Sequence, residues 1–293
     1  MNNKKSINIL ISIDDNYIIH AKELIYSIIM HNDVNLNVYV IYGDELSSNS
    51  INELSKYLDN NNYGKLYPIH FDSDKSLFKM TIDYISVTTY FRLFAPFLLP
   101  EEMDRILYLD CDILCNGKID DLYDTEFDDN VIVGCMNMLP SHLLVWSIVN
   151  NRRLELPDNY KYMNAGVLLM NLKKFREKTS IDDSFSFIKD NSHRFLFQDQ
   201  DVINKMFCND IKLVDNIFNY QINPASWDGK TDKIRLVHYS EKDKPWNKDF
   251  KNIRKGLFYY KLLVKMGRVE EAKNLITEQC VRLAENVWDE VNK

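Results

Sequence analysis

The sequence predicts an α/β fold in which a parallel sheet is flanked by helices. Two features carry the prediction. Apolar runs of strand length alternate with longer segments whose apolar residues recur at helical spacing. The first five elements follow the order β-α-β-α-β, the rhythm of a parallel sheet covered by helices.

Ile7 to Ile13 is the first strand and ends at Asp14-Asp15-Asn16. Tyr17 to His31 is a helix, because Ile18, Ile19, Ala21, Leu24, Ile25, Ile28 and Ile29 recur at the spacing of one core-facing side. Asn37 to Tyr42 is the second strand, closed by the Gly43-Asp44 break. Ser50 to Leu58 is helical, and Lys65 to Phe71 is the third strand. Thr88 to Leu99 is expected to be a helix that stops before Pro100. Arg105 to Ile113 (RILYLDCDI), Val131 to Met136 and Ala165 to Met170 are further strands, the last leading to a polar helix start at Asn171. Gln198 to Phe207 is expected to be helical, and Ile211 to Val214 and Ile234 to Tyr239 are short strands. Beyond Trp246 the chain is mostly helical, with apolar residues at Ile253, Leu257, Leu262, Leu263, Leu275 and Ile276.

The 293 residues are 45% hydrophobic, ample for a packed core, and carry a net charge of -7. That balance argues against nucleic-acid binding, which needs clustered Lys and Arg. The five cysteines, Cys111, Cys115, Cys135, Cys208 and Cys280, are scattered and lack paired C-x-x-C spacing. Reduced, mostly buried thiols are expected. The N-terminal apolar run is too short and too alternating for a signal peptide or a membrane span. A cytoplasmic enzyme or binding protein is the class these features leave. No GxGxxG or GxxxxGK[ST] is present, so the common dinucleotide and P-loop fingerprints are absent.

Asp110-Cys111-Asp112 lies where the RILYLDCDI strand leaves the sheet. Strand positions i and i+2 project to one side, so the spacing aims two carboxylates at one point. Like charges that close raise a pKa unless a cation lies between them. A divalent metal that favours oxygen ligands, magnesium or manganese, is the simplest partner. A solvated polar strand end is the alternative. Ligands of open α/β sheets bind beyond the carboxyl ends of the strands, and Asp14-Asp15-Asn16 sits at another such end.

Five further segments make the motif specific. YLDCDI resembles the Asp-x-Asp motif of nucleotide-sugar-dependent glycosyltransferases. ISIDDNY (Ile11 to Tyr17), TTYFRL (Thr88 to Leu93), MNAGVLLMNLKKFR (Met163 to Arg176), FQDQDVIN (Phe197 to Asn204) and HYSEKDKPW (His238 to Trp246) stand in matching order. Together, over roughly residues 6 to 250, the segments resemble the family 8 retaining glycosyltransferases, which include bacterial lipopolysaccharide galactosyl- and glucosyltransferases and glycogenin. The resemblance implies a GT-A fold: a Rossmann-like, single nucleotide-sugar-binding domain over residues 1–250 with a mixed, mainly parallel sheet. Residues 251–293 would form a helical C-terminal extension packed on it. It also implies UDP-glucose or UDP-galactose as donor and Mn2+ as cofactor, with Mg2+ the other candidate.

By this resemblance Asp110, Asp112 and His238 hold the metal, with Cys111 beside the donor. A metal there bridges the carboxylates to the diphosphate and neutralises the leaving UDP, and an imidazole suits manganese. By itself His238, after the apolar IRLV, reads more often as a hydrogen-bonded structural histidine, and the KPW that follows shifts the reading toward function. Lys244 corresponds to a lysine on the diphosphate, where a cation stabilises charge that grows as the glycosidic bond breaks. Glu241 stands where the family commonly has glycine, so the loop is expected to differ or the carboxylate to point outward. Asp14, Asn16 and Tyr17 correspond to the uridine pocket, with Tyr17 stacking on uracil and Asp14 accepting a base or ribose hydrogen bond. An Asx cap on the following helix is compatible with that role. Ser12 corresponds to a small residue beside the nucleotide.

Arg92 corresponds to an arginine that touches the donor sugar and approaches the metal-binding acids. Amid Phe91, Leu93 and Phe94 it is expected to be buried, where a cation needs a partner such as Asp110 or Asp199. Asn164, Ala165 and Gly166 correspond to the segment below the donor sugar, with Gly166 permitting close backbone approach. Asp199 would bind sugar hydroxyls, and Gln200 would lie near the anomeric carbon opposite the leaving group. A helix N-terminus accounts for the acids of QDQD as well. Asn137 and Met138 stand where relatives often carry a sugar-binding acid, which leaves glucose against galactose open.

The expected function is transfer of glucose or galactose from a UDP-sugar to a saccharide, glycoprotein or glycolipid acceptor, in α-linkage, with retention and dependence on manganese. An amide oxygen at Gln200 is a poor nucleophile, so same-face attack through an oxocarbenium-like ion pair is expected rather than a covalent intermediate. A nucleotide-sugar hydrolase and an inactive carbohydrate- or partner-binding scaffold are the alternatives, and the full metal set argues against the second. Lys242 to Arg268 carries nine Lys or Arg against two Asp or Glu, with Phe250, Phe258, Tyr259 and Tyr260 interleaved. Helices packed back on the core are favoured here over peripheral contact with the inner face of an anionic membrane, which would suit a lipid-linked acceptor in cell-surface polysaccharide or glycoprotein synthesis.

Overall fold

The computed structural model describes residues 4–72, 87–139, 144–222 and 232–291. In chain order the elements are β1 (Lys5–Ser12), α1 (Ile18–His31), β2 (Val34–Tyr42), α2 (Ser48–Asn60), β3 (Gly64–His70), α3 (Ala95–Leu98), β4 (Arg105–Leu109), β5 (Ile113–Cys115) and α4 (Asp120–Tyr123). They continue as β6 (Ile132–Met136), α5 (Leu144–Arg153), β7 (Met163–Asn171), α6 (Leu172–Lys178), α7 (Ile181–Asn191), α8 (Gln198–Met206), β8 (Ile211–Val214), β9 (Tyr220–Gln221), β10 (Leu236–His238), α9 (Leu257–Lys265) and α10 (Val269–Val291).

Seven strands form one sheet in the order β3-β2-β1-β4-β7-β6-β8. Every pair is parallel except those made by β7, which runs antiparallel to both β4 and β6. The sheet is therefore mixed and mainly parallel. Both faces are covered, which explains why the strand sequences are nearly continuous in apolar residues. Ile7, Ile9 and Ile11 of β1 pack with Ala21, Leu24, Ile25 and Ile28 of α1 on one face. Leu10 packs on the other face with Tyr39, Ile41, Phe91 and Phe94. A second sheet, β5-β10-β9, lies at the carboxyl end of β4.

Two local expectations are corrected. RILYLDCDI is two strands, not one: β4 ends at Leu109 and β5 begins at Ile113 in the other sheet. The helix expected over Thr88 to Leu99 is a 3-10 turn over Val87–Leu93 followed by the short α3. Pro96 stands inside that stretch, and a proline has no N–H to continue a helix that began before it. The helices α5 and α7 were not anticipated; α5 exposes Val145, Ile148 and Val149, so its apolar residues do not mark a core face.

The C-terminal helices pack against α1. The buried carboxylate of Glu23 accepts from Tyr259 Oη at 3.1 Å and from Arg268 Nη1 at 2.5 Å. His20 stacks on Trp246 with ring centroids 3.9 Å apart, and Gln279 Nε2 donates to the carbonyls of Pro245 and Asn247. Among the described residues no helix is long and apolar enough to cross a membrane.

Candidate functional site

The carboxyl ends of β1 and β4 are adjacent, and the chain leaving β4 turns through Asp110, Cys111 and Asp112 into β5. Asp110 N donates to Gly166 O at 2.9 Å, which ties the start of this turn to β7. Tyr239 N donates to Asp112 O at 3.0 Å, and His238 is paired with Ile113 across the small sheet. The junction of two sheets therefore brings the carboxylates together with an imidazole more than a hundred residues away in sequence. Strand alternation is not the cause, since both acids lie beyond the end of β4.

Ligand atoms of Asp110, Asp112 and His238 all lie within 4.8 Å of one another. His238 Nε2 is 3.1 Å from Asp112 Oδ1 and 3.8 Å from Asp110 Oδ2. The other ring nitrogen, Nδ1, is 2.8 Å from Asn219 Oδ1. An amide oxygen only accepts, so Nδ1 carries the proton and Nε2 presents its lone pair to the acids. Asp112 Oδ1 is buried and accepts no hydrogen bond from any described residue. Burial alone would raise the Asp112 carboxyl, but the Lys244 ammonium outweighs it and holds the group below the usual carboxylate range. Two acids, one bare imidazole nitrogen and an orphaned buried oxygen fit a divalent cation that takes mixed oxygen and nitrogen ligands.

Gly166 makes room for this cluster. A Cβ built there would lie 2.3 Å from His238 Cε1 and 2.8 Å from Asp110 Oδ2. The close approach is thus to the Asp110 and His238 side chains, on a strand held between β4 and β6. Gly166→Ala is expected to weaken Mn2+ binding and to lower stability by about 1–3 kcal/mol, the usual range for overpacking a filled site. Mn2+ titration and urea unfolding of the variant check both effects.

Arg92 is 3% exposed and joins the Asp110-Asp112-His238 cluster to α8. Its Nη1 is 3.1 Å from Asp110 Oδ1, and its Nε is 3.0 Å from Asp199 Oδ2. Nη1 and Nε also donate to the carbonyls of Ala165 and Thr89. The guanidinium lies 4.2 Å over the ring of Tyr108, whose hydroxyl donates to Asp110 Oδ1 at 2.7 Å. Burial would depress the Arg92 pKa, but Asp110 and Asp199 outweigh it, so the group stays charged. Burial pushes Asp199 up to about 6 against the opposing pull of Arg92, with Asp110 adding to the rise.

The entry to α8 is set by backbone geometry. Gln198 is buried and adopts a φ of 50°, a left-handed conformation uncommon for a side-chain-bearing residue and often found at functional sites. Buried Asp201 holds the turn: its Oδ2 accepts from Leu196 N, Phe197 N and Arg153 Nη2, and its Oδ1 from Tyr162 Oη. Gln200 is thereby aimed at β7, where its Oε1 accepts from Ala165 N at 3.0 Å and from Asn164 Nδ2 at 3.1 Å.

These groups line one cavity of about 550 Å³, within the size range of small-molecule sites. At the β1 end its wall includes Ser12, Asp14 and Tyr17. Ser12 Oγ donates to the carbonyls of Ile41 and Thr88, and Asp14 caps the following turn by accepting from Asn16 N. Asn16 does not join the others: it is exposed and lies outside the cavity wall, because the turn that Asp14 caps carries it away. Cys111 lines the wall as a protonated thiol, since burial and then the flanking carboxylates push its pKa well up. Lys244, nearly buried, donates to Asp112 Oδ2 at 2.7 Å and to Tyr239 O. Glu241 is exposed at the rim.

Three residues of this site were not anticipated from sequence: Tyr108, Asn219 and Trp146. Tyr108 reads as an ordinary strand aromatic, and its i, i+2 spacing from Asp110 is the one available hint. Asn219, in FNYQIN, carries no local signal. Trp146 lines the cavity from α5, edge-on to Phe197 with centroids 5.1 Å apart.

The model of the family described as Glycosyl transferase family 8 matches residues 8–249. The chain is similar to lipopolysaccharide 1,2-glucosyltransferase of Escherichia coli K12, with 28% identity over 261 residues, 85% of this chain and 75% of that protein. It is also similar to lipopolysaccharide 1,3-galactosyltransferase of Salmonella typhimurium, with 31% identity over 169 residues, 54% of this chain and 49% of that one. Among solved structures, galactosyltransferase LgtC in complex with donor and acceptor sugar analogs matches with a TM-score of 0.73 at 22% identity, covering 92% of this chain and 95% of that one. A likeness at that identity establishes the fold, which is GT-A.

Proposed function

The chain belongs to glycosyl transferase family 8, and from that premise we propose that it moves glucose or galactose from a UDP-sugar to a saccharide, glycolipid or glycoprotein acceptor, with retention and in α-linkage. The observation that carries this reading is the convergence of Asp110, Asp112 and His238 in the same cavity as Lys244, Arg92 and the Asp199-Gln200 pair. Asp110, Asp112 and His238 would hold Mn2+, with Mg2+ the other candidate, and the bound cation would draw charge from the departing diphosphate. Lys244 lines the cavity beside Asp112, so release from Asp112 would free its ammonium for phosphate. Asp14 and Tyr17 would hold the nucleoside. Asp199, kept in place by Arg92, would accept from sugar hydroxyls.

Retention is assigned to same-face attack, with the UDP phosphate taking the acceptor proton. Gln200 supports this assignment because its carbonyl oxygen is held by two donors and offers no free nucleophile. Gln200→Ala is expected to lower kcat on the order of a hundredfold without abolishing turnover, the usual scale for one preorganised polar group. A glycosyl adduct trapped on Asp199 would overturn the assignment.

The same proposal takes residues 1–250 as the catalytic domain and 251–293 as a helical extension packed on it, acting in the cytoplasm. The test is UDP release from a panel of UDP-sugars with manganese, with and without candidate acceptors. UDP-glucose or UDP-galactose is expected to lead, with release stimulated by acceptor. Release from no donor would sink the reading, and release indifferent to every acceptor would favour hydrolysis.

A further inference from the structure

We propose that Asn219 is a positioning residue, whose one amide both turns His238 to face the metal and aligns Asn164 with Gln200. The inference rests on the metal reading above. Asn219 is fully buried and follows a 3-10 turn whose first hydrogen bond is supplied by Asp215. Its Oδ1 is 2.8 Å from His238 Nδ1, and its Nδ2 donates to Asn164 Oδ1 at 2.9 Å.

The polarity of this chain of amides follows from two backbone donors. Gly166 N–H donates to Asn164 at 3.0 Å, so the atom it meets is the oxygen. Ala165 N–H likewise identifies the oxygen of Gln200. With Asn164 Oδ1 an acceptor, Asn219 must turn its NH2 toward it. Its oxygen then faces His238, whose Nδ1 must carry the proton. His238 Nε2 is left bare, 3.1 Å from Asp112 Oδ1.

The competing state is the other tautomer. A proton on Nε2 would hydrogen-bond to Asp112 at that same distance and close the metal position. The small sheet fixes the His238 backbone through Ile113 and Gln221, but it does not choose between tautomers. Asn219 makes that choice, and the same amide holds Asn164, whose NH2 reaches Gln200 Oε1. Only a group that accepts at one end and donates at the other serves both ends.

The experiment compares wild type, Asn219→Ala and Asn219→Asp as full-length, metal-free chains, titrated with Mn2+ alone and followed by electron paramagnetic resonance. Asn219→Ala is expected to bind Mn2+ about 10- to 100-fold more weakly, the usual cost of losing the partner of a metal-bound imidazole. Asn219→Asp still accepts from Nδ1 and is expected to bind no more weakly than wild type. It cannot donate to Asn164, so its kcat for UDP release is expected to fall on the order of tenfold. Wild-type affinity in the alanine variant overturns the proposal, as does equal loss of metal in both variants, the mark of a merely structural role. Unchanged kcat in Asn219→Asp overturns the link to Gln200. If the alanine variant does not fold, the aspartate variant decides through its affinity and kcat. A wild type that takes up no Mn2+ overturns the metal reading and this inference together.

Discussion

Asp112→Asn is expected to lower kcat on the order of a thousandfold, equivalent to about 4 kcal/mol of lost transition-state stabilisation. The substitution keeps the shape of the side chain and removes its charge. Asp112 has two engagements in this structure, Oδ1 toward His238 and Oδ2 with Lys244. An amide in its place ligates weakly, and it leaves a nearly buried ammonium without its anion. Both metal affinity and the position of Lys244 therefore change at once. Circular dichroism should show an intact fold, Mn2+ titration should show lost affinity, and UDP release should fall. Turnover within tenfold of wild type would remove Asp112 from the metal site. Extraction of the metal by a chelator should reproduce the loss in the wild-type protein and be reversed by Mn2+.

Arg92→Ala is expected to destabilise the fold by about 3–5 kcal/mol, the cost of removing one partner from a buried ion pair. Against a typical total of about 5–15 kcal/mol this is a large share. The guanidinium reaches Asp110 and Asp199 at once and also donates to two carbonyls. Its loss strands two carboxylates and separates the Asp110-Asp112-His238 cluster from α8. Arg92→Lys should recover only part of the stability, because a single ammonium cannot reproduce a planar fork that spans both acids. Urea unfolding at neutral pH measures the difference. A loss below about 1 kcal/mol would mean that the pair is solvated and weak, as exposed ion pairs are.

Much of the fold was legible because its signals are local. Apolar period and turn residues mark β1, α1, β2, α2 and β3, and the buried strands β4, β6 and β7 read as apolar runs. The break in RILYLDCDI was not legible, since nothing in the run itself says that the chain changes sheets after Leu109. The helix broken by Pro96 was legible in principle, because the residue that breaks it stands in the segment.

The site divides along the same line. Resemblance to the ordered motifs of the family identified Asp110, Asp112, His238, Lys244, Arg92, Asp199 and Gln200 as the residues to watch, and the structure brings all seven to one cavity. Asn16 was grouped with them by the same resemblance, as part of the uridine pocket, and it lies outside the cavity wall.

The sequence by itself determined which charges and amides are available, and the alternation of elements that builds a mainly parallel sheet. The tertiary structure alone decided how they meet: the junction of two sheets that joins Asp112 to His238, the missing side chain at Gly166 that admits them, and the run of amides from His238 through Asn219 to Gln200. The reason is physical. Periodicity and turn chemistry act between neighbours in the chain, whereas hydrogen-bond polarity and tautomer are set by atoms that are neighbours only in space.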